Sequence, residues 1–324
     1  MDLRTRPVPG SPGIPVLRYL RSIVLVAGSL VFLLTLVFLF RTVQQNWSSL
    51  VGRDFGQLDV RWIALSGLAY ALSVLTTMFV WPSILKALET PLPLSLGVAI
   101  GLTAQTGKYL PGNVAQHFGR AALAARHSIS LVDSGISTIV ELGSAVLGGI
   151  LFVLFCILID PDLFGVLTDT VEPSTLQRSI LLTLVAAITV LLAGHRITRS
   201  SYRSWLILLR VWSPPVVAMV FSFALAGLSF FAMIRGIAGP VDPGYITAAV
   251  IFAVAWLAGF LVPGAPAGLG VRETIIIAFL TGVIGPASAI YCALLHRVMS
   301  AVMDGVMALP GVFFLLKEGR SHAN

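Results

Sequence analysis

The stretch Ala104–Arg126, AQTGKYLPGNVAQHFGRAALAAR, places a Pro-Gly break together with Lys, His and Arg side chains inside an otherwise apolar chain. In hydrocarbon, each backbone N–H or C=O group that a break leaves unpaired costs several kcal/mol. Such a break is therefore compatible with a membrane protein only where other parts of the protein or a polar cavity cover it.

The composition indicates an integral membrane protein. The chain has 324 residues, a mean hydropathy of +0.94 and 11% charged residues, whereas soluble domains carry about 25% charged residues. The basic residues flank apolar runs, which is typical of membrane topology rather than of nucleic-acid binding. Cys156 and Cys292 lie in apolar runs and indicate neither a disulfide framework nor a metal site. Motifs of known enzyme classes are lacking, so we predict no enzyme and no cofactor.

The Pro-Gly break occurs twice at a constant spacing. Leu110-Pro111-Gly112 is followed by Arg120, and Val262-Pro263-Gly264 is followed by Arg272. The two copies are 152 positions apart at each of these landmarks. This recurrence in matched apolar contexts predicts an internal duplication.

Apolar runs divide the chain into full spans and half-length helices. Residues 1–15 are predicted to be a disordered cytoplasmic tail, and 16–320 a single transmembrane domain. The predicted spans are Ile23–Phe40, Trp62–Trp81 with an interfacial Trp at each end, Leu131–Ile159, the short run Ile180–Ala193, Pro215–Ile234 and Ala287–Leu316. The segment Tyr202–Trp212 is predicted to lie on the membrane surface as an amphipathic piece.

The half-length helices predict re-entrant hairpins. Leu94–Thr106 and the helix that follows Gly112 to about Arg126 are each too short to span, as are Tyr245–Val262 and Val271–Gly282 around the second break. The distribution of Lys and Arg places both termini in the cytoplasm. The predicted fold is therefore an all-α polytopic membrane protein with two inverted repeats, about 16–160 and about 175–320, each containing spanning helices and one re-entrant broken-helix hairpin.

The two breaks predict a site for an anion near the midplane. The second arm of each hairpin begins at its break, so unpaired N–H groups and a partial positive charge point into the membrane. Basic side chains add full charges, and glycines allow close approach of the backbone. The predicted substrate-binding residues are Lys108, Asn113, Arg120, Gly264, Gly268, Gly270 and Arg272.

Buried charges also allow a structural interpretation, in which the cations pair with acids to fix helix packing. Glu141, Glu273, Arg297 and Asp304 are predicted to be gating or ion-pair residues. Glu141 and Arg297 either pair with each other or gate the site. Arg297 and Asp304 are seven positions apart and share a helix face, where a structural ion pair is an alternative.

Two motifs carry a resemblance to a known family. Gly107-Lys108-Tyr109-Leu110-Pro111-Gly112 with the downstream Arg120, and the segment PAGLGVRE from Pro266 to Glu273, resemble the lysylphosphatidylglycerol synthase transmembrane, or flippase-like, family of bacteria and archaea. The likeness covers about residues 20–318. It implies movement of a charged lipid between leaflets in a bacterial or archaeal cytoplasmic membrane, without the synthase domain that follows in the best-known members. Ala265-Pro266-Ala267 departs from the richer glycine run common in the family.

The sequence therefore predicts a lipid flippase or lipid transporter for an anionic, phosphate-containing lipid. A secondary transporter of a small soluble anion is an alternative with the same site chemistry. A non-transporting membrane scaffold for a lipid-modifying enzyme is a third hypothesis. The predicted partners are membrane lipids with anionic headgroups and not nucleic acid, while a lipid-modifying enzyme and self-association into a homo-oligomer remain open.

Overall fold

Almost all of the described chain is helical in the computed structural model. The structure describes residues 58–90, 92–109, 115–163, 165, 203–240, 243–262 and 268–321, with single helical positions at 37, 40, 41 and 44. Its α-helices are α1 (Val60–Met78), α2 (Val80–Ala87), α3 (Leu94–Gln105), α4 (Ala115–Ala125), α5 (Leu131–Ile159), α6 (Arg203–Ala238), α7 (Tyr245–Leu261), α8 (Val271–Ile284) and α9 (Pro286–Ser321), and a 3-10 turn, Thr106–Tyr109, follows α3.

Several predicted segments lie outside the described residues. They are the tail at 1–15, the first span Ile23–Phe40 apart from the helical positions Val37 and Phe40, and the short run Ile180–Ala193. The two Pro-Gly breaks, at 110–114 and 263–267, also lie outside them. The helices that flank both breaks are described.

Four helical segments are long and apolar enough to cross a membrane: Val60–Ala87, Leu131–Ile159, Arg210–Ala238 and Pro286–Glu318. A helix of this length rises by more than the roughly 30 Å of a bilayer core at about 1.5 Å per residue. Large apolar side chains on these helices are exposed, with Leu158 80% and Phe313 73% accessible. The prediction of a helical membrane protein is confirmed at this level.

Small polar side chains join α1 to α6 at their crossing. Ser66 Oγ donates to the carbonyl oxygen of Ser229 at 2.7 Å, and Ser73 Oγ donates to that of Ser222 at 3.0 Å. All four serines are buried. Small residues allow close approach of helices in a bilayer, where packing and interhelical hydrogen bonds replace the hydrophobic effect.

The predicted surface piece Tyr202–Trp212 is wrong for the part that the structure describes. Helix α6 begins at Arg203 and continues without interruption through Pro214 and Pro215 to Ala238. Val211 and Trp212 are buried against Val80 and Ile84 of α2. This packing supports the helix across the prolines, as neighbouring helices do for proline in membrane proteins.

Trp81 is not the interfacial anchor that the sequence suggested. A turn at Phe79 separates α1 from α2, and Trp81 in the first turn of α2 is only 1% exposed. Its indole N–H donates to Ser137 Oγ of α5 at 2.9 Å. The redirected chain therefore places this ring in the protein interior beside the candidate site.

The half-length helices lie where the sequence predicted them. α3 and α4 have 12 and 11 residues, and α7 and α8 have 17 and 14. At about 1.5 Å per residue, each is shorter than the roughly 30 Å core of a bilayer. α3 packs on α4 and on α9, while α7 packs on α8 and on α5. The main apolar core lies among α6, α7, α8 and α9.

Candidate functional site

A cavity of about 240 Å³ lies among the helices and is lined by residues of both predicted repeats. Six charged residues among the predicted site residues line it: Lys108, Arg120, Glu141, Arg272, Glu273 and Arg297. Asp304 is adjacent and fully buried. Asn113 and Gly264 lie outside the described residues. The structure thus brings together charges that are up to 189 positions apart in sequence, from Lys108 to Arg297.

Lys108 has a carboxylate partner in Asp304. Its Nζ lies 2.7 Å from Oδ2 of Asp304, whose side chain is 0% exposed. The same carboxylate accepts hydrogen bonds from Gln105 Nε2 at 2.6 Å, from the Tyr109 hydroxyl at 2.5 Å and from the Tyr70 hydroxyl at 3.1 Å. These contacts tie the end of α3 and the following 3-10 turn to α9.

Arg120 also has a carboxylate partner. Its guanidinium on α4 forms an ion pair with Glu141 of α5 and donates to Thr138 Oγ1 at 3.2 Å. It lies over the ring of Trp81, with Cζ 4.9 Å from the ring centroid. Glu141 therefore pairs with Arg120, and not with Arg297 as one of the sequence alternatives had it.

Glu273 links the start of α8 to Arg297. Its Oε2 accepts from the backbone N–H of Gly270 at 2.6 Å, as a glutamate in the first turn does in a capping box. Its Oε1 lies 3.6 Å from Nε of Arg297. Among the ion pairs seen in the described part of the chain, Asp304 pairs with Lys108 and Arg297 with Glu273.

Arg272 differs from the other three cations around the cavity. Within the described residues its guanidinium forms no hydrogen bond and no ion pair, and its Nε is buried without a partner. Its Cζ lies 5.3 Å from the ring centroid of Trp256. A buried cation without a partner is energetically unfavourable, and an arriving anion relieves that cost.

Two glycines make room for Arg272. A Cβ at Gly259 would lie 2.7 Å from Cγ of Arg272, and a Cβ at Gly268 would lie 2.8 Å from its Nε. Gly268 and Gly270 have φ of 70° and 87°, where side chains other than glycine are strained. The close approach at Gly268 is made to the side chain of Arg272, and its predicted role toward a ligand stays a prediction.

Several residues of the site were not identified from the sequence. Tyr70 and Gln105 hold Asp304, and Trp81 and Trp256 lie against the two arginines. Tyr70 and Gln105 are polar residues within apolar runs, and that position was the available indication. A tryptophan in an apolar run carries no comparable indication, because most of them pack in cores or at interfaces.

The described chain belongs to the class of helical proteins with membrane-length apolar helices, and its cavity is lined by apolar side chains together with several cations. A scan of known protein-family models and a search of curated proteins each found no match for the chain. Within the described ranges no group of three or more His, Cys, Asp or Glu side chains is placed to hold a metal ion. The chemistry that the arrangement supports is binding of an anion by guanidinium groups.

Proposed function

We propose that this protein is a lipid flippase or lipid transporter that moves an anionic, phosphate-containing lipid between membrane leaflets. The observation that carries the proposal is Arg272, a cavity-lining arginine with no carboxylate partner among the described residues. A guanidinium presents its donors in a planar fork that matches phosphate oxygens. The headgroup crosses through the cavity while the acyl chains stay in the bilayer.

Equivalent positions support two inverted repeats. In the short helices and turns beside the two Pro-Gly breaks, three pairs of cavity-lining residues are separated by 152 positions, the offset of the breaks. They are Ala104 and Trp256, Lys108 and Phe260, and Arg120 and Arg272. An inverted pair of repeats places equivalent residues around one central site, which is a common architecture of secondary transporters.

The crossing of α1 and α6 supports the same symmetry. Ser73 Oγ donates to the carbonyl oxygen of Ser222 at 3.0 Å, and Ser222 Oγ donates to that of Ser73 at 3.2 Å. Reciprocal contacts of this kind arise where a twofold axis passes between equivalent residues. Tyr70 and Met219 line the cavity with the 149-position offset of the serine pair.

The two half-helix pairs support re-entrant hairpins. Gly107 and Gly259 are 152 positions apart, and each packs against the residue nine positions further along. A Cβ at Gly107 would lie 2.7 Å from the backbone nitrogen of Gln116, and one at Gly259 would lie 3.2 Å from Cα of Gly268. The two short helices of each proposed hairpin therefore approach each other closely at an equivalent glycine. Both termini are proposed to be cytoplasmic in a bacterial or archaeal cytoplasmic membrane, which makes the hairpins enter from opposite sides.

The size of the cavity fits a lipid headgroup. At about 240 Å³ it is smaller than the roughly 300–1,000 Å³ typical of pockets that enclose drug-sized ligands. It therefore accommodates a headgroup but not acyl chains. The GKYLPG and PAGLGVRE segments resemble the flippase-like family, and that resemblance points to the same substrate class.

The test is a leaflet-translocation assay in proteoliposomes that contain the full chain and acyl-chain-labelled phospholipids. Wild-type protein is expected to move an anionic phospholipid faster than protein-free liposomes do. Arg272→Gln is expected to reduce that rate at least tenfold. Arg126→Gln, which removes the same charge from an exposed position just after α4, is the matched control and should keep the rate.

Two results would contradict the proposal. One is no movement of any anionic lipid above the protein-free rate, and the other is a wild-type rate for Arg272→Gln. Uptake of phosphate or sulfate without lipid movement would instead favour a transporter of soluble anions. Function that survives loss of the buried charges would favour the scaffold hypothesis.

A further inference from the structure

The three carboxylates at the cavity differ in how many groups hold them. The carboxylate of Asp304 has four partners, namely Lys108, Gln105, Tyr70 and Tyr109. Glu273 accepts from a backbone N–H and pairs with Arg297. Within the described residues, the carboxylate of Glu141 has one partner, the guanidinium of Arg120. Glu141 is therefore the carboxylate that another anion can displace with the fewest broken contacts.

Arg120 keeps contacts that do not involve this carboxylate. Its guanidinium donates to Thr138 Oγ1 at 3.2 Å, and its Nη2 lies 3.4 Å from Nδ1 of His117. Its Cζ lies 4.9 Å from the ring centroid of Trp81. These contacts hold the guanidinium in place when its anionic partner changes. Arg120 and Glu141 both line the cavity, so an anion inside the cavity meets the pair.

Displacement from Arg120 leaves Glu141 as a carboxylate without a partner. Its side chain is 14% exposed, and its Oε2 is buried. A buried carboxylate without a partner is strongly unfavourable, and such a group takes up a proton instead. The proton comes from water on the side from which the anion enters. The anion adds one negative charge and the proton one positive charge, so the total charge of the site is unchanged.

The neighbours of Glu141 direct the proton to this residue. Helices α2, α4, α6 and α7 pack on α5. Among their described residues, those of α6 and α7 that line the cavity are uncharged, while α4 contributes Arg120 and His117. His117 lies beside the guanidinium of Arg120, where a second positive charge is disfavoured by the first. Glu141 is therefore the proton acceptor of this cluster.

We propose that the protein carries one proton together with each anionic lipid, that Glu141 binds the proton, and that Arg120 exchanges Glu141 for the headgroup phosphate. This inference rests on the proposed function and adds the ion that accompanies its substrate. Arg272 attracts the headgroup into the cavity, and Arg120 binds it after the exchange. A lipid with one negative charge then crosses together with one proton, and no net charge moves.

Proton uptake on binding to the purified full chain in detergent tests the proton site without requiring transport. Arg272→Gln is the background, because binding there depends on Arg120. The probe is short-chain phosphatidylglycerol, and calorimetry in two buffers of different ionisation enthalpy measures the protons taken up. At neutral pH about one proton should be taken up per lipid bound, and the affinity should fall about tenfold for each unit of rise in pH.

Removing the carboxylate should abolish proton uptake. Glu141→Gln in the Arg272→Gln background should bind the probe without taking up a proton, and at least tenfold more tightly at neutral pH, because no carboxylate competes for Arg120. The variant with Arg120→Gln and Glu141→Gln leaves no uncompensated ion at this position, which protects the fold. It should bind through Arg272 without proton uptake.

A further variant distinguishes the two titratable residues of the cluster. His117→Gln should keep the number of protons taken up, whatever its effect on affinity. Loss of proton uptake in this variant would overturn the inference. So would proton uptake by a variant that lacks Glu141, no uptake in the Arg272→Gln background, or no binding when Glu141→Gln is added to it.

The driving force of transport in proteoliposomes tests the coupling itself. A potential of 100 mV biases the leaflet distribution of a monoanionic lipid that moves alone by roughly 50-fold. Phosphatidylglycerol carried with a proton should ignore the potential and follow an imposed pH gradient, accumulating in the leaflet that faces the more alkaline compartment. Glu141→Gln should reverse this dependence, because the lipid then crosses without a proton.

These results separate the inference from the proposed function. Lipid movement by the wild-type protein that follows the potential and not the pH gradient would overturn the inference and leave the flippase proposal intact. Proton uptake on binding with the expected pattern, but without movement of any anionic lipid, would support the proton site and overturn the flippase proposal.

Discussion

Replacing Asp304 with asparagine should strongly destabilise the fold. The side chain of Asp304 is 0% exposed and lies 2.7 Å from Lys108 Nζ. Removing one partner of a buried ion pair costs about 3–5 kcal/mol, because the remaining charge is left buried and uncompensated. Asparagine keeps the shape of the side chain, so this cost arises from charge and hydrogen bonding rather than from a packing void.

A second substitution separates the charge from the rest of the network. Combining Asp304→Asn with Lys108→Met removes both members of the pair and leaves no uncompensated ion. Buried ion pairs are often replaced by neutral residues with little loss of stability. The double variant should therefore be more stable than Asp304→Asn alone. It also removes the contact between the Lys108 ammonium and the Tyr70 hydroxyl.

Unfolding of the purified protein in mixed micelles, at increasing mole fraction of a denaturing detergent, measures both free-energy changes. Asp162→Asn, at an exposed position after α5, is the control, and it should lie within about 0.5 kcal/mol of wild type, as surface substitutions usually do. A wild-type stability for Asp304→Asn would refute the buried pair. A double variant no more stable than the single one would refute the explanation by uncompensated charge.

The remaining predictions concern contacts between helices and use the same unfolding measurement. Gly107→Ala should lower the free energy of unfolding by about 1–3 kcal/mol, as overpacking does, because its Cβ would lie 2.7 Å from the backbone nitrogen of Gln116. Gly119→Ala on α4, which has open space around it, is the control. Equal stability of the two variants would contradict the close approach at Gly107. Ser73→Ala and Ser222→Ala should each cost about 0.6 kcal/mol, the average for such bonds in membranes, and a double variant that costs the sum of both would contradict their reciprocal bonding.

The sequence predicted the helices well where local chemistry fixes their ends. α5 has the predicted bounds Leu131–Ile159, because Ser130 accepts from the backbone N–H of Asp133 at its start and Asp160 follows the apolar run. The half-length helices were also located, since each pair is separated by a Pro-Gly break in the sequence. Such a pair does not always end a helix, because α9 continues through Pro310 and Gly311.

Predictions failed where tertiary packing outweighed local preference. The predicted span began at Pro215, yet α6 continues across Pro214 and Pro215 with Val211 and Trp212 packed on α2. Trp81 looked like an interfacial anchor because it ended an apolar run. A local pattern does not reveal the turn at Phe79 that directs this ring inward.

The charged residues of the site were identified from hydropathy, but their partners were not. Lys108 and Asp304 are 196 positions apart, and only the folded arrangement shows that they meet. Arg120 and Arg272 appear equivalent in the sequence because each follows a Pro-Gly break by the same interval. What separates them is the carboxylate of Glu141 on α5, which pairs with Arg120, whereas Arg272 has no carboxylate partner among the described residues.

Charge balance explains why one arginine without an acidic partner has such weight. If a carboxylate paired with Arg272 as Glu141 pairs with Arg120, neither of these two arginines would be available to an anion without displacement of a carboxylate. If Glu141 were an alanine, both arginines would lack a carboxylate partner among the described residues, and each charge at membrane depth costs roughly 2.5–3.5 kcal/mol even on lenient scales. One paired and one unpaired arginine therefore combine a stable site with an attraction for a single anionic group.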